Sequence, residues 1–269
     1  MNDAVRRRAR AAVLELLERR HGIGTRSTGT AAWVEARLDR ALDALAGGAT
    51  LEASLELLQN DSARLAEIAD LLRVGETSFY RDPSQWEALR AEFRAGFAGC
   101  ERLRGVSVGC SSGEEAWTLA MLLDEASSRQ GKPRPWRVVG MDRSELALTA
   151  ARQASYALES ARNLPAELAS RYLVASAGDL RITDSLRARV SFVPRDATLG
   201  PPPGSWEIIV CKNLFIYFGD DAFARVLELL MRSLVTDGIL LVARSEVPRV
   251  RALWPRAEAL APGVTVFRA

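Results

Sequence analysis

The spacing of apolar residues divides the chain into two regions. Over about the first 72 residues, apolar positions recur at helical spacing with charged and polar residues between them, which predicts an all-helical N-terminal domain. Its four expected helices lie near residues 4–20, 31–46, 51–58 and 62–72. The second region, residues 73–269, differs because short apolar runs of strand length alternate there with amphipathic segments.

The alternation in the second region predicts an α/β fold, a parallel sheet with helices on both faces. The candidate strands are residues 105–110, 137–141, 208–212 and 239–243, and the candidate helices are residues 115–128, 144–153 and 221–235. The last helix is the clearest, because one face carries Phe223, Val226, Leu227, Leu230, Met231 and Leu234. In such sheets ligands bind outside the carboxyl ends of the strands, so candidate chemistry is sought there.

One stretch interrupts the alternation. Residues 173–193 contain short β-type pieces, "LRI" and "RVSFV", without a long helix between them. This composition predicts a small antiparallel β insertion within the α/β domain. The terminal "GVTVFRA" predicts a closing edge strand.

Composition and charge exclude several classes of function. The chain has 269 residues, 48% hydrophobic content and a net charge of +2, so neither nucleic acid nor a membrane surface is an expected partner. No apolar run approaches the ~18 residues that span a bilayer. The three cysteines have no metal-ligand spacing, and their odd number without a secretory leader favours reduced thiols in a cytoplasmic protein. Cys110 and Cys211 lie in apolar runs and are expected in the core.

The histidine and arginine content excludes further classes of function. His21 is the single histidine, so a histidine-rich zinc site is impossible and a serine–histidine–aspartate hydrolase would depend on a residue far from the other candidates. His21 is interpreted as an ordinary surface residue. Arginines are concentrated near the N-terminus, at 6–8 and 10. This cluster is either a solvated helix face or a docking surface for an acidic partner.

The segment "GCSSGEE" (109–115) is a glycine turn between a strand and a helix. A dinucleotide site uses G-x-G-x-x-G, with backbone amides and a helix N-terminus facing a pyrophosphate. Here the middle glycine is absent, and Glu114 and Glu115 stand where the phosphate would lie. Two carboxylates repel an anion, so the turn favours a positively charged ligand without phosphate. S-adenosylmethionine (SAM), with a sulfonium and an ammonium group, has these properties.

Two further polar positions lie at strand ends. Asp142 ends the strand "VVGMD", where an acidic group binds the hydroxyls of an adenosine ribose, although it could also cap the helix that begins near Ser144. Asn213 follows "VCK" at the end of a central strand, and Tyr217 lies in the loop beyond it, where half-buried packing is its alternative role. Each signal is weak alone, and their order and spacing together favour a binding site.

The chain resembles the chemotaxis receptor methyltransferases, the CheR family. The resemblance is carried by "VGETSFYRD" (74–82), "GCSSGEE" (109–115), "MD" (141–142), "CKNLFIYF" (211–218) and "ARSE" (243–246), and it covers nearly the whole chain. It implies a Rossmann-like class I methyltransferase domain at residues 73–269, with a helical domain at 1–72 and a β subdomain at about 173–193. It also implies a cytoplasmic monomer that transfers a methyl group from SAM to a glutamate on the cytoplasmic helices of a chemoreceptor-like protein.

The reaction implied by the resemblance suits a chain with one histidine. A glutamate side chain has a pKa of about 4.3, so it is already a nucleophile at neutral pH and no general base is required. The enzyme must orient the two reactants and exclude water.

The resemblance also implies site residues. Gly75, Thr77 and Arg81 would contact the methionine end of the cofactor, and Gly109 and Glu115 would bind it at the glycine turn.

The remaining implied contacts lie at other strand ends. Asp142 would hold the ribose, Asp196 and Ala197 would border the adenine, and Asn213 and Leu214 would close the pocket.

Arg81 and Tyr217 are expected nearest the transferred methyl group. Arg81 would steer the incoming carboxylate by its charge, and the Tyr217 hydroxyl would donate a hydrogen bond to it. No metal is expected.

Several positions depart from the family pattern. Gly75 and Asp196 both stand where asparagine is usual, Ala116 stands where proline is usual, and Arg244 replaces a histidine. The insertion at 173–193 is compact, so we expect no tether for a receptor's C-terminal peptide. The alternatives are a SAM-dependent methyltransferase acting on another protein or a small molecule, and a non-catalytic signalling module.

Overall fold

The structure is a computed structural model that describes residues 3–23, 32–46, 51–72, 77–94, 102–128, 134–255 and 266–268. It divides into two compact units. One consists of Met1–Gly75 with Phe215–Arg225, and the other of Glu76–Leu214 with Val226–Ala269. The first unit thus includes a segment that the sequence pattern assigns to the second domain.

Eleven α-helices and nine β-strands occur in the described part of the chain. The helices are α1 (Asp3–His21), α2 (Ala32–Ala46), α3 (Leu51–Asn60), α4 (Ser62–Leu71), α5 (Pro83–Arg94), α6 (Glu114–Ser128), α7 (Glu145–Gln153), α8 (Ala166–Tyr172), α9 (Asp184–Arg187), α10 (Asp220–Ser233) and α11 (Val247–Leu253). The strands are β1 (Leu103–Val108), β2 (Trp136–Asp142), β3 (Ser155–Ala157), β4 (Leu173–Ser176), β5 (Asp179–Ile182), β6 (Val190–Pro194), β7 (Trp206–Cys211), β8 (Leu234–Val242) and β9 (Val266–Arg268).

The first unit is built on α1 to α4, which pack around a shared apolar core. Arg10 of α1 makes hydrogen-bonded ion pairs with Asp39 at 2.6 Å and Glu35 at 2.8 Å, both on α2, and Arg6 pairs with Asp43 at 2.9 Å. Part of the N-terminal arginine cluster therefore joins two helices of the unit.

The segment after β7 completes the first unit. Residues 215–217 form a 3₁₀ helix, and Phe215 packs edge-on against Phe223 with ring centroids 4.9 Å apart. Ile23 forms an isolated antiparallel bridge with Phe218, and the Gly219 N–H donates to the Gly22 carbonyl at 3.0 Å.

The second unit is built on a six-stranded sheet with the order β6-β2-β1-β7-β8-β9. The first five strands are parallel, and β9 pairs antiparallel with β8. All six residues of β7 are buried, as expected for a strand covered on both faces. The predicted α/β fold and the closing edge strand are confirmed. One helix end differs, because Leu234 begins β8 and α10 ends at Ser233.

A second, antiparallel sheet has the order β3-β5-β4. Its hairpin turns through Ala177 and Gly178, whose φ angles of 51° and 93° suit a two-residue turn. The predicted extent of the insertion is wrong at its end, since β6 pairs parallel with β2 and belongs to the main sheet. A five-residue edge strand has the same composition as a hairpin strand, so only its pairing distinguishes the two. Moreover β3, which the sequence analysis did not predict, supplies the third strand.

Large aromatic side chains form much of the second unit's core, where Trp86 and Trp117 are among the largest buried side chains. Cys110 and Cys211 are buried with 1% and 0% of their surface exposed, which confirms their predicted place. Cys100 lies outside the described residues. His21, at the end of α1, is half-buried.

Candidate active site

The carboxyl ends of the parallel strands bring the candidate residues to one edge of the sheet. Asp142 ends β2, Gly109 follows β1, and Asn213 follows β7 by two residues. The N–H groups of Gly109 and Cys110 both donate to the Met141 carbonyl, at 2.8 and 2.9 Å. The glycine turn is therefore hydrogen-bonded directly to the end of the neighbouring strand.

Both glycines of the turn are required by its geometry. Gly109 has a φ of 76°, and a Cβ there would lie 3.1 Å from the side chain of Leu214. Gly113 has a φ of 98°, and a Cβ there would lie 2.8 Å from the Cβ of Ala151. The same close approach places Leu214 against the turn, and its role in closing a pocket stays a prediction.

Asp142 organises the glycine turn. Its carboxylate accepts hydrogen bonds from the Ser111 and Ser144 N–H groups, each at 2.9 Å, and only 4% of the residue is exposed. The cap of α7 is Ser144, whose side chain accepts from the Ala147 N–H at 3.4 Å. The predicted contact of Asp142 with a ribose stays a prediction.

The two glutamates at the start of α6 have different environments. Glu114 is buried and accepts a hydrogen bond from Ser112 Oγ at 2.8 Å, and burial raises its pKa above the usual range. Glu115 is half-buried and accepts from Ser107 Oγ at 2.7 Å.

Burial raises the pKa of Glu115 to about 7, although the hydrogen bond from Ser107 and the charges of Lys212 and Arg81 act to lower it. Glu115 is therefore a half-buried carboxylate whose pKa lies near neutral pH, and the charges of Lys212 and Arg81 favour its ionised form.

Several contacts fix the turn that carries Arg81. The Arg81 carbonyl accepts hydrogen bonds from Trp86 Nε1 at 2.9 Å and from Lys212 Nζ at 2.5 Å. Tyr80 and Asp82, on either side, have positive φ angles of 57° and 61°. Such angles cost on the order of 1–2 kcal/mol each in residues other than glycine, so surrounding contacts must hold the turn.

The loop after β7 is held by an acidic residue from the loop after β8. Asn213 has a φ of 59°, and its N–H donates to Glu246 Oε2 at 3.1 Å. Glu246 is 3% exposed and also accepts from the Ala243 N–H at 3.0 Å.

Asp196 and Ala197 follow β6, the strand next to β2. The Asp196 carboxylate accepts from the Thr198 N–H and hydroxyl, at 2.8 and 2.7 Å, and caps a short 3₁₀ helix. The Arg195 N–H donates to the Asp142 carbonyl at 2.9 Å, so this segment adjoins the end of β2. Their role beside an adenine stays a prediction.

For the remaining predicted site residues, the structure gives burial and position in the fold. Thr77 is half-buried in the second unit, and Gly75 lies outside the described residues. Tyr217 is half-buried in the 3₁₀ helix of the first unit. Within the second unit the structure thus brings Arg81 and Glu115 to the sheet edge formed by Gly109, Asp142 and Asn213.

Sequence analysis missed the residues that support this site. Ser107 lies inside β1, Lys212 directly follows β7, and Glu246 belongs to the quoted motif "ARSE" without an assigned role. Lys212 could have been noticed, because it is a charged residue at the end of an apolar strand and one of only two lysines in the chain.

Comparison with known protein families matches residues 75–254 to the family described as "CheR methyltransferase, SAM binding domain". The match covers more than half of the sequence. The chain belongs to the CheR methyltransferase family. The predicted family and the predicted cofactor, SAM, are thereby confirmed, and the CheR-family chain is a SAM-dependent methyltransferase by class.

Curated relatives include proteins of several named functions. The chain is 32% identical over 236 residues to the "Probable biofilm formation methyltransferase WspC" of Pseudomonas putida, covering 86% of this chain and 54% of that protein. It is 30% identical to an "Uncharacterized 104.1 kDa protein" of Rhodobacter capsulatus, covering 73% of this chain and 21% of that protein. It is 28% identical to "Chemotaxis protein methyltransferase 1" of Pseudomonas aeruginosa, covering 79% and 81%. The chain thus spans about half or less of the first two relatives.

Solved structures similar to the chain include a SAM-dependent methyltransferase from Geobacter sulfurreducens in complex with S-adenosyl-L-homocysteine. That structure is 21% identical, with a TM-score of 0.35, and the match covers 60% of this chain and 47% of the other. Among the residues that the structure describes, no helix combines the length and apolar character needed to cross a membrane.

The residues at the sheet edge fit the cofactor of the family. Glu115 offers a carboxylate to a cationic ligand directly after the glycine turn. Asp142 adds acceptor oxygens for hydroxyl groups at the end of the next strand. These features suit a ligand with an ammonium group and a ribose.

Proposed function

We propose that this protein transfers the methyl group of SAM to a glutamate side chain on a helical, chemoreceptor-like protein in the cytoplasm, forming a methyl ester. The observation that supports it best is the arrangement of Arg81 and Glu115. The half-buried Glu115 carboxylate directly follows the glycine turn, and the fixed Arg81 is among the charges that act on it, in a chain that belongs to the CheR family.

The division of roles follows from charge. The ionised form of Glu115 binds the cofactor's ammonium, while the positively charged Arg81 attracts the substrate carboxylate. Bound SAM supplies a methyl group on a positively charged sulfur, and the carboxylate oxygen forms its new bond as the carbon–sulfur bond breaks to leave a neutral thioether.

The other residues of the site orient the reactants. Asp142 binds the ribose, Asn213 and Leu214 close the pocket, and Thr77 contacts the methionine end. Asp196 and Ala197 border the adenine.

No side chain has to remove a proton. The substrate carboxylate is ionised at neutral pH, so the site contributes orientation, charge and exclusion of water. The protein therefore lowers the activation barrier mainly by aligning the substrate carboxylate with the methyl group.

The class of partner is proposed from the relatives. Chemotaxis methyltransferases support a methyl-accepting receptor, and a relative named for biofilm formation supports a receptor of a related signalling system. The compact hairpin at Ala177–Gly178 supports docking without a grip on a receptor's C-terminal peptide.

The test is transfer of tritiated methyl groups from SAM to proteins of the source cell, with the purified chain as enzyme. We expect labelled protein whose label is released as methanol by mild base, because esters hydrolyse there and methylated amines do not. Label confined to small molecules, or stable to base, would contradict the proposed substrate.

Arg81→Ala tests the catalytic assignment within the same assay. We expect it to reduce transfer by at least about 100-fold, because the substrate carboxylate loses its positively charged partner. Arg232→Ala is a matched control, since Arg232 is exposed and pairs with the neighbouring Glu228 on α10. Equal turnover by both variants would refute the role of Arg81.

A further inference from the structure

Lys212 is a buried cation that the mechanism above does not use. Among the residues that the structure describes, two cationic side chains are buried, Arg90 and Lys212. Arg90 lies 2.6 Å from the carboxylate of Glu125 in a structural ion pair. Lys212 lies instead directly after β7, where it contacts the Arg81 turn, and Glu115 is among the charges that act on it.

The contacts of Lys212 converge on the Arg81 turn. Its side chain is 2% exposed, and its Nζ lies 2.5 Å from the Arg81 carbonyl oxygen and 3.2 Å from Asp82 Oδ2. The same nitrogen lies 5.3 Å from the ring centroid of Trp86, whose Nε1 donates to the same Arg81 carbonyl. Lys212 thus holds two consecutive residues of a backbone segment that has positive φ angles.

The residue at position 212 is a lysine in a chain that otherwise uses arginine almost exclusively. The chain has 36 basic residues, of which only Lys132 and Lys212 are lysines. An ammonium is a compact charge with three donors arranged around one atom, whereas a guanidinium is a planar fork with five. A carbonyl, a carboxylate and a ring face around one point suit the ammonium.

The charges around Lys212 couple it to the proposed cofactor site. The ionisable groups that act on it are Glu115, Asp82 and Arg81. Burial lowers the pKa of Lys212, and the two carboxylates oppose that effect. In return, Lys212 and Arg81 favour the ionised form of Glu115, whose pKa burial raises.

We propose that Lys212 is a positioning residue of the methyl-transfer site, whose buried ammonium fixes the Arg81 turn and supplies positive charge that attracts the Glu115 carboxylate. The inference rests on the proposed function for the roles of Arg81 and Glu115. Lys212 itself acts through these two residues and does not contact the reactants.

Binding of S-adenosylhomocysteine across a pH series tests the electrostatic part. In Lys212→Met, Glu115 is protonated over a wider pH range, so we expect binding about tenfold weaker at pH 7 and recovery toward pH 9. Lys212→Arg keeps the charge and should retain the wild-type pH midpoint. A loss of affinity that is the same at every pH, or no loss at pH 7, would overturn the assignment.

The two lysines permit a direct test that needs neither a substrate nor a Lys212 variant. With ¹⁵N at the lysine side chains, the spectrum contains two ammonium signals, and Lys132 is the reference. We expect the Lys212 signal to exchange slowly with water and to shift in Glu115→Gln and Asp82→Asn. A Lys212 signal that exchanges rapidly, or that neither variant shifts, would refute the inference.

These results separate the inference from the proposed function. If the spectrum and the pH series behave as expected while no glutamate is methylated, the proposed substrate fails and the role of Lys212 stands. If methyl esters form but Lys212→Met retains the wild-type pH dependence and turnover, the proposed function stands and the inference fails.

Discussion

Glu246 Oε2 lies 3.1 Å from the backbone nitrogen of Asn213. The same oxygen accepts from the Ala243 N–H at 3.0 Å, so one buried carboxylate joins the loops that follow β7 and β8. This bond holds Asn213 at its φ of 59°, in a region that residues other than glycine rarely adopt. Glu246 therefore connects the stability of the sheet edge with the shape of the proposed pocket.

Replacing Glu246 tests that connection. Glu246→Ala leaves two N–H groups without their acceptor, and we expect a loss of about 2–3 kcal/mol in the free energy of unfolding with weaker binding of S-adenosylhomocysteine. Glu246→Gln keeps an acceptor oxygen of the same reach and should lose less, about 1 kcal/mol. Urea unfolding and calorimetric titration measure the two effects. Equal stability of Glu246→Ala and the wild type would contradict this role.

The raised pKa of Glu115 predicts a pH-dependent stability. Its pKa rises from an ordinary value of 4.5 to about 7 in the folded protein because burial disfavours the charge. The folded form thus binds this proton more tightly than the unfolded chain does. The contribution to stability is fully present below pH 4.5 and is lost as the pH rises through about 7.

Without cofactor, the free energy of unfolding of Glu115→Gln should therefore rise relative to that of the wild type as the pH increases from 5 to 8.5. The gain should reach up to about 3 kcal/mol. The same variant should bind S-adenosylhomocysteine more weakly at high pH, because the cofactor's ammonium loses its carboxylate. Thermal unfolding at a series of pH values measures the first effect. If the variant and the wild type differ in stability by the same amount at every pH, the raised pKa of Glu115 is contradicted.

Gly113 and Gly178 both have positive φ angles, but only Gly113 has close neighbours where a Cβ would stand. Alanine at each position therefore distinguishes the effect of backbone strain from that of crowding. A Cβ at Gly113 would lie 2.8 Å from the Cβ of Ala151, whereas a Cβ at Gly178 would have nothing within 4 Å. Gly178→Ala should lose about 1 kcal/mol through its φ alone. Gly113→Ala should lose about 2–4 kcal/mol, because overpacking adds to the strain. Similar losses in chemical denaturation would show that crowding at Gly113 is relieved.

Arg10 is predicted to stabilise the helical unit. It pairs with both Asp39 and Glu35 on α2, and Arg10 holds the pKa of Asp39 below its usual range. Arg10→Ala should lower the free energy of unfolding by about 1–2 kcal/mol at neutral pH, while the exposed Arg8→Ala serves as the control.

The pH dependence of the Arg10 effect has a defined sign. The stability from this pair is present above the ordinary Asp39 pKa of 3.8 and is lost as the pH falls through the lowered value in the folded protein. The difference between Arg10→Ala and the wild type should therefore shrink in strong acid. Unfolding curves at pH 7 and below pH 3 provide the comparison.

The sequence by itself determined most strands of the sheet and predicted where a ligand would bind. Apolar runs bounded by helical segments predicted four of its strands, because a strand buried on both faces needs apolar residues at consecutive positions. Gly109 and Glu115 indicated the turn and its preference for a cation, because glycine spacing and charge are local properties of the chain. The motifs around Arg81 and Asn213 then identified the family.

Only the tertiary structure decided which residues support the site and where some elements belong. Pairing with β2 placed β6 in the main sheet, although its composition suits the insertion equally well. Glu114 and Glu115 are adjacent in sequence, yet one is buried against Ser112 and the other is half-buried near Lys212 and Arg81. Burial, pKa and hydrogen-bond partners arise from contacts between residues far apart in the chain, and no local pattern contains that information.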